Sequence, residues 1–500
     1  MHPSAAPHIA IIGAGWAGCA AAVRAMQMGA QVSVFEASRT PGGRARSVPC
    51  AEADGGMLDN GQHILIGAYS QTLALMRTVG ASPEELLLRL PLDLRTPDGH
   101  GLRLRPATFA PASAQLAALR AIWQAKGWAW GEKWRLLRAA VQWQQQGFKC
   151  PAHISVADLC QGLGPVVLRS LIEPLCVAAF NSAPHETSGA VFLRVLQDAL
   201  FASPGASDAL VARQPFGRLL PEPALAWLQA RAGRIHLGQR VMALHPTHSS
   251  PTAAAWQVQC GQAFDASAET NTPRSAFDQV ILACPAWEAA RLVQDLAQGL
   301  EQYWAHGLVQ DQPTRSLPLG NKQQMSTRHL QHHLQQWARQ ASALQHVPIA
   351  TLYAWCPSPA CAHLPPMQAL RCQSPSEAQF AFYHAQRQRS NTQGKSETLL
   401  SFVASHCTDN RQALENAITA QARTQLGLPQ LHIIRTTVEK RATFVCSPAL
   451  QRPPMQVANG LLACGDYVQG PYPATLEGAV RSGLQAAEAC CTPATNENAP

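Results

Sequence analysis

At 500 residues the chain is longer than one hydrophobic core organises, so roughly two or three domains are expected. Hydrophobic residues make up 47% and charged residues only 14%, a balance that excludes an intrinsically disordered chain. The net charge of +8 permits an anionic partner, but no Lys/Arg run is dense enough for a nucleic-acid arm, so a membrane surface suits it better.

The first predicted element is a buried parallel strand at His8 to Ile12 (HIAII), a continuous apolar run with branched residues. It leads into Gly13-Ala14-Gly15-Trp16-Ala17-Gly18 and then an Ala-rich helix over Cys19 to Met28. Ile9 to Val23 is apolar enough to suggest a signal peptide. Its leader, Met1 to His8, carries no Lys or Arg, and the glycines suit a strand-turn-helix better. No other stretch approaches the roughly 18 uncharged apolar residues that span a bilayer. A cytoplasmic protein without signal peptide or transmembrane helix is therefore expected.

Gln31 to Phe35 (QVSVF) reads as the second strand, and Glu36 closes it, 18 residues beyond Gly18. That is close to the roughly 20-residue offset expected for an acid that binds ribose. The first Gly makes the tight turn, the second lets backbone approach a pyrophosphate, and the third lets helix and strand pack closely. The helix N-terminus then offers free N–H groups to the phosphates. Strand, glycines, helix, second strand and acid in that order predict a dinucleotide site containing Gly13, Gly15, Trp16, Ala17, Gly18, Glu36 and Ala37. Gly42-Gly43-Arg44 follows within ASRTPGGRARS, where paired glycines pass close to a ligand and Arg44 and Arg46 can neutralise pyrophosphate, favouring FAD over NAD.

Residues 120 to 149 stand out in the helical stretch beyond. Trp123, Trp128, Trp130, Trp134 and Trp143 alternate with Arg120, Lys126, Lys133, Arg135, Arg138 and Lys149, against the single acid Glu132. Indoles and cations together suit peripheral contact with a bilayer interface, and they also suit an amphipathic helix packed on a core. The histidines of the Gln/His-rich stretch between 300 and 345 (His329, His332, His333) have no carboxylate or Cys spaced as a partner, so no metal site is expected. The fifteen cysteines form no CxxC pair and read as scattered thiols in a reducing compartment.

Near the C-terminus Leu461 to Cys464 (LLAC) reads as a short strand. Gly465-Asp466 turns at its carboxyl end, where α/β sheets bind ligands. Thr475 to Val480 would open a helix whose N-terminus faces negative charge, with a cap formed by Thr475 and Glu477 as the alternative reading.

Several segments resemble one group of flavoproteins. ASRTPGGRARS is similar to the second dinucleotide segment of the amine oxidase and phytoene desaturase superfamily. Leu58 to Tyr69 (LDNGQHILIGAY) resembles a segment of its squalene-associated desaturases, the hydroxysqualene dehydroxylases of bacterial squalene and hopanoid synthesis. FGRLLPEP (216–223) with Gly238 to Val241, FDQVILACPAW (277–287), PIATLYAW (348–355) and KRATF (440–444) also look like family segments, as do Gly465-Asp466-Tyr467 and Pro473 to Gly483.

The resemblance implies a Rossmann-like, doubly wound α/β FAD-binding domain from residues 1–75, 215–295 and 436–490. A mostly helical α+β substrate domain from 76–214 and 296–435 and a tail at 491–500 complete the division. It adds Gly61, Gln62, His63, Val241, Gly465, Asp466, Pro473, Ala474 and Thr475 to Gly43 and Arg44 as FAD contacts. It implies reduction of hydroxysqualene to squalene, an isoprenoid lipid drawn from the inner face of the cytoplasmic membrane or from an upstream squalene-pathway enzyme. Asp59 and His63 are the candidate proton donors, because burial could bring the carboxyl toward the range of the imidazole. The alternatives are a carotenoid desaturase, an amine oxidase, or a non-catalytic lipid carrier that keeps its flavin for structure.

Overall fold

A computed structural model of the chain describes residues 6–53, 56–104, 114–201, 203–247, 255–261, 275–307, 321–391, 393–405, 407 and 410–492. Part of the Gln/His-rich stretch, 308–320, and the tail beyond 492 lie outside them.

The chain begins with β1 (His8–Ile12), α1 (Trp16–Gln27) and β2 (Gln31–Glu36), the parallel unit expected. A short hairpin of β3 (Ser47–Pro49) and β4 (Met57–Asp59) leads to β5 (Ile64–Ile66) and α2 (Ser70–Thr78). Then come β6 (Leu87–Leu90), α3 (Ala114–Gln124), α4 (Trp130–Gln145), α5 (Gly189–Leu196) and β7 (Ala209–Ala212), with β7 pairing antiparallel to both β5 and β6. Next, α6 (Pro221–Gln229) and β8 (Arg234–Leu237) return the chain to β2. The antiparallel strands β9 (Val241–Thr247), β10 (Ala255–Cys260) and β11 (Ser275–Phe277) precede β12 (Gln279–Leu282), which pairs parallel with β1.

Two helices, α7 (Ala286–Gly307) and α8 (Asn321–Ser342), open the next section. They are followed by β13 (His346–Pro357), β14 (Met367–Ala369), β15 (Phe380–Ser390), β16 (Ser396–Ser405), α9 (Arg411–Leu426) and β17 (His432–Phe444). The chain closes with β18 (Gln456–Ala458), β19 (Leu461–Ala463) and α10 (Leu476–Cys491).

The central sheet has the order β18-β19-β12-β1-β2-β8 and is parallel except at β18. Its strands are apolar on both faces, as a covered parallel sheet requires. Ile9 and Ile11 of β1 enter the core beneath α1, α6 and α10, whereas Ala10 and Ile12 enter the core beneath α7 and α8. This is the doubly wound arrangement expected.

The second large sheet, β14-β15-β16-β13-β17, is antiparallel throughout. The mostly helical reading holds for 76–201 but not for 346–444, where strands dominate. Continuous apolar runs such as TLYAW in β13 and TLLSFVAS in β16 are buried on both faces, so they carry no alternation to announce a strand. The Gln/His-rich helix α8 is firmly seated. Leu334, Trp337, Ala338 and Ala341 form one buried stripe, and Trp337 Nε1 donates to the Pro454 carbonyl at 2.8 Å. His329, His332 and His333 lie on its exposed side, and no metal-ligand cluster occurs among the described residues. All fifteen cysteines are free, and only Cys372 is exposed.

Candidate functional site

The carboxyl ends of β1 and β2 open on a cavity of about 550 Å³. The glycine turn at its floor has little steric freedom. Gly13 sits at φ +114°, and a Cβ there would come 2.6 Å from the Ala283 carbonyl oxygen. A Cβ on Gly18 would stand 1.9 Å from the Gly13 carbonyl, whereas Gly15 has nothing nearer than 4.0 Å and simply borders the cavity. These are the three tasks read from the sequence, and they explain why Gly18 itself does not line the space: its role is to let α1 pack on β1. Glu36 holds the turn as well as facing the cavity. One carboxylate oxygen accepts from Ala14 N–H at 2.7 Å and the other from Ser38 N–H at 2.8 Å. Each oxygen keeps a lone pair for a ligand hydroxyl. The second glycine pair is stitched to the first, with Gly42 N–H donating to the Ala14 carbonyl at 2.8 Å.

Of the other expected contacts, Trp16, Ala17, Ala37, Gly43, Arg44, Gly61, Gln62, His63, Val241, Gly465, Asp466, Ala474 and Thr475 all border the cavity, whereas Pro473 does not. Arg44 spans it from one motif to the other, donating to Asp466 Oδ1 at 2.6 Å and to the Ala442 carbonyl at 2.8 Å. Its guanidinium is thereby committed to the C-terminal turn as well as available to phosphate. Thr475 caps α10 by accepting from Gly478 N–H at 2.9 Å. Glu477 takes no part in that cap. Its buried carboxylate accepts from the Gln71 and Thr72 N–H groups, from Thr72 Oγ1 at 2.7 Å and from Arg481, fastening the start of α2 to α10.

The DNGQH segment is tied to the antiparallel sheet. Asn60 Nδ2 donates to Glu439 of β17 at 3.0 Å, and Gln62 N–H to Thr351 Oγ1 of β13 at 3.2 Å. Ser401 Oγ of β16 donates to Gln62 Oε1 at 3.0 Å and lies 2.9 Å from His384 Nε2 of β15. Asp59 and His63 separate within this segment. Asp59 turns its carboxylate to Ser47 Oγ (2.9 Å) and Phe216 N–H (2.8 Å) and does not border the cavity. Burial pushes its pKa up to about 6, against the opposing pull of those two hydrogen bonds and Arg387. His63 borders the cavity, and its Nε2 is buried with no partner. Burial, then the charge of Arg44, lowers its pKa to about 4, so the ring is neutral at physiological pH.

Several walls escaped the sequence reading. Cys284 and Trp287, within the quoted FDQVILACPAW segment but not named as contacts, line the cavity with Glu288 just beyond it, and Ile349, Glu439 and Thr443 come from β13 and β17. For Cys284 the signal was its place just past the carboxyl end of β12, where ligands gather in parallel sheets, whereas Ile349 and Glu439 sit within antiparallel strands and carry no such mark. The residues present fit a flavin dinucleotide: a glycine cradle that side chains would fill, an acid with spare lone pairs, and two orphaned polar atoms, His63 Nε2 and Tyr467 OH.

Comparisons with known proteins agree with this geometry. The hydroxysqualene dehydroxylase of Rhodopseudomonas palustris is 26% identical over 493 residues, covering 96% of this chain and 97% of that protein. A probable zeta-carotene desaturase of Synechococcus elongatus is 27% identical over 255 residues, covering 48% of this chain and 52% of its own. An oxidoreductase structure from Methanosarcina mazei superposes with a TM-score of 0.62 at 14% identity, over 96% of this chain and 100% of that one, a likeness of fold. The model of the flavin containing amine oxidoreductases matches residues 16–314 and 316–491, a span that takes in α1, the DNGQH segment and the Gly465 turn alike. The chain therefore belongs to that family and is a flavin-dependent oxidoreductase.

Proposed function

We propose that the protein is an FAD-dependent hydroxysqualene dehydroxylase, reducing hydroxysqualene to squalene on the route to hopanoids. The observation that carries this reading is the near full-length match to a protein of that name, 96% of the chain against 97% of the relative. The match to a zeta-carotene desaturase covers 48% of the chain, which makes carotenoid desaturation the second reading.

FAD would lie with its pyrophosphate at Gly13, Gly15 and the N-terminus of α1, its adenosine ribose at Glu36, and its ribityl chain at Asp466. Bound and reduced, it supplies a hydride. The reaction would balance with both hydrogens of the reduced cofactor: the substrate's C–O bond would break, the hydride would make the new C–H bond, and the second hydrogen, released as a proton, would leave with the hydroxyl as water. His63 meets the hydroxyl at Nε2. Because that ring is neutral, it orients the hydroxyl by hydrogen bonding and does not offer a standing imidazolium. Asp59, held by Ser47 and Phe216, positions the segment that carries His63. Beside His63, Ile64 packs against the apolar cluster that includes Phe180, Phe192, Phe380 and Phe382, an apolar wall that excludes water on that side.

The segments 1–75, 215–295 and 436–490 are read as the flavin-binding domain, supported by the common sheet of β1, β2, β8, β12 and β19. The segments 76–214 and 296–435 are read as the substrate domain, with β17 crossing the last boundary. No helix among the described residues is long and apolar enough to cross a membrane.

The test is anaerobic. Chemically reduced holoprotein is mixed with hydroxysqualene while flavin absorbance and extracted lipid are followed together. One squalene per flavin reoxidised is expected. Flavin that stays reduced, with the alcohol recovered intact, would overturn the assignment. Reduction of oxidised flavin by a carotene would replace it with desaturation.

A further inference from the structure

Among the described residues nine large apolar side chains stand exposed, and five of them fall within 119–141. They are Leu119 (42% exposed), Trp123 (51%), Trp130 (56%), Trp134 (62%) and Val141 (48%), all on α3 and α4. These helices have already satisfied their inward faces, where Ile122, Leu136 and Trp143 are buried, as is Trp128 in the connection between them. The outward indoles are surplus to folding, and apolar surface grouped this way marks a contact. They are also held in place. Trp123 and Trp130 meet edge to face with centroids 4.4 Å apart. Buried Lys133 fixes both, donating from Nζ to the Trp123 carbonyl at 2.7 Å and lying 5.1 Å from the Trp130 ring centroid.

The charge around them has one sign. Arg120, Lys126, Arg135, Arg138 and Lys149 are exposed, while the lone acid, Glu132, is buried and accepts from Val166 N–H at 3.0 Å. A protein interface concentrates apolar residues and depletes lysine at its centre. Here indoles and cations share one helical surface with no exposed acid, which matches a bilayer, where rings sit at headgroup depth and cations meet anionic lipid. The inward faces of α3 and α4 also belong to the apolar cluster that packs against Ile64, the neighbour of His63. The docking surface and the proposed substrate wall are therefore two sides of one packed unit.

We propose that α3 and α4 form a docking face for an anionic phospholipid bilayer, with Trp123, Trp130 and Trp134 at headgroup depth, and that the lipid substrate enters along this side. The second half rests on the dehydroxylase reading; the first does not.

Flotation of the holoprotein with phosphatidylcholine vesicles, with and without phosphatidylglycerol, tests the face. Wild-type protein floats with the anionic vesicles and is released by high salt. Replacing Trp123, Trp130 and Trp134 together by Ser lowers partitioning about tenfold or more, while flavin content and turnover of detergent-dispersed hydroxysqualene stay unchanged. Each of Arg120→Gln, Arg135→Gln and Arg138→Gln lowers partitioning about fivefold on anionic vesicles and little on neutral ones. With substrate supplied in anionic vesicles, the triple variant shows a raised KM at constant kcat. Equal flotation of variant and wild type would overturn the docking face. So would wild-type protein that ignores vesicles and self-associates through these tryptophans, seen as a loss of dimer in the triple variant. As a check free of mutation, brominated acyl chains quench wild-type tryptophan fluorescence, and no quenching sinks the proposal. Vesicle binding without turnover in detergent would leave the docking face standing and remove only the dehydroxylase reading.

Discussion

The two large sheets hold the same cavity by different means. The parallel sheet meets it through backbone, at Gly13, Gly15 and Gly465, where turns leave the strand ends. The antiparallel sheet meets it through residues of β13 and β17, at Ile349, Glu439 and Thr443, and holds the DNGQH segment by side-chain hydrogen bonds. A backbone contact admits very few residue types at a given position, whereas a side-chain wall can be rebuilt in many ways. The first sheet should therefore be brittle to single methyl groups and the second forgiving.

The sharpest way to break this contrast is to add those methyl groups. Gly18→Ala places a Cβ 1.9 Å from backbone oxygen and Gly13→Ala places one at 2.6 Å in a left-handed conformation. Each should cost about 4 kcal/mol or more and abolish flavin retention, read by thermal unfolding and bound-flavin absorbance. Gly15→Ala has space, with nothing within 4.0 Å but Gly43 Cα, so the flavin-free protein should melt within a degree or two of wild type while flavin affinity drops. If all three behave alike, the division of labour within the turn is wrong.

Glu477 extends the comparison to the helices. A carboxylate 1% exposed that collects three hydrogen bonds from Gln71 and Thr72, and a fourth from Arg481, has no substitute nearby. Glu477→Ala leaves the Gln71 and Thr72 N–H groups of α2 without their acceptor and Arg481 with only Ser70 Oγ, for an expected loss of about 3 kcal/mol in denaturant titration. Glu477→Gln should cost less, because it still accepts.

How legible each half was follows from the same contrast. The unit from His8 to Glu36 could be read because its constraints are steric and local: a glycine where φ is positive, a glycine where helix meets strand, an acid at a strand end. Gly465-Asp466 and the Thr475 cap were legible for the same reason. DNGQH was visible as a motif, but its purpose was not, because its partners Thr351, Ser401 and Glu439 lie hundreds of residues away and nothing local encodes that pairing. The antiparallel sheet was misread as helical because strands buried on both faces show no alternation. In α8 the polar Gln and His residues obscured the spacing of Leu334, Trp337, Ala338 and Ala341.

Asp59 and His63 give a smaller test, located in the segment held against the antiparallel sheet. The His63 pKa is depressed to about 4, so its contribution is present above about 6.5 and is lost as pH falls toward 4. The Asp59 pKa is raised to about 6, so its contribution is present at acid pH and is lost as pH rises from about 4 through 6. The two slopes oppose, and the wild-type flavin-free protein should show a weak net dependence from these groups. Relative to it, His63→Asn should gain stability toward pH 4 and Asp59→Asn should lose it, each by on the order of 1–3 kcal/mol. Parallel profiles for all three proteins would mean that neither group is desolvated as described.

The smallest expected effect lies at Ala474. This cavity residue has φ +55°, a left-handed conformation that costs a side-chain-bearing residue about 1 kcal/mol. Its N–H donates to the Asp466 carbonyl at 3.1 Å, while the Asp466 carboxylate is held by Arg44, so the strained residue closes the loop that presents Asp466. Strain at such a position persists only where its surroundings impose it. Ala474→Gly removes the strain but adds freedom to the unfolded chain, so the net gain in stability should be only about 0.5 kcal/mol. Flavin should bind a few-fold more weakly, because a glycine no longer restricts the turn to one shape. Stability and affinity rising together would separate the strain from binding and leave the conformation of Ala474 a feature of packing alone. Opposite movement would show that even on the backbone-built side of the cavity, one methyl group helps to hold the loop for its ligand.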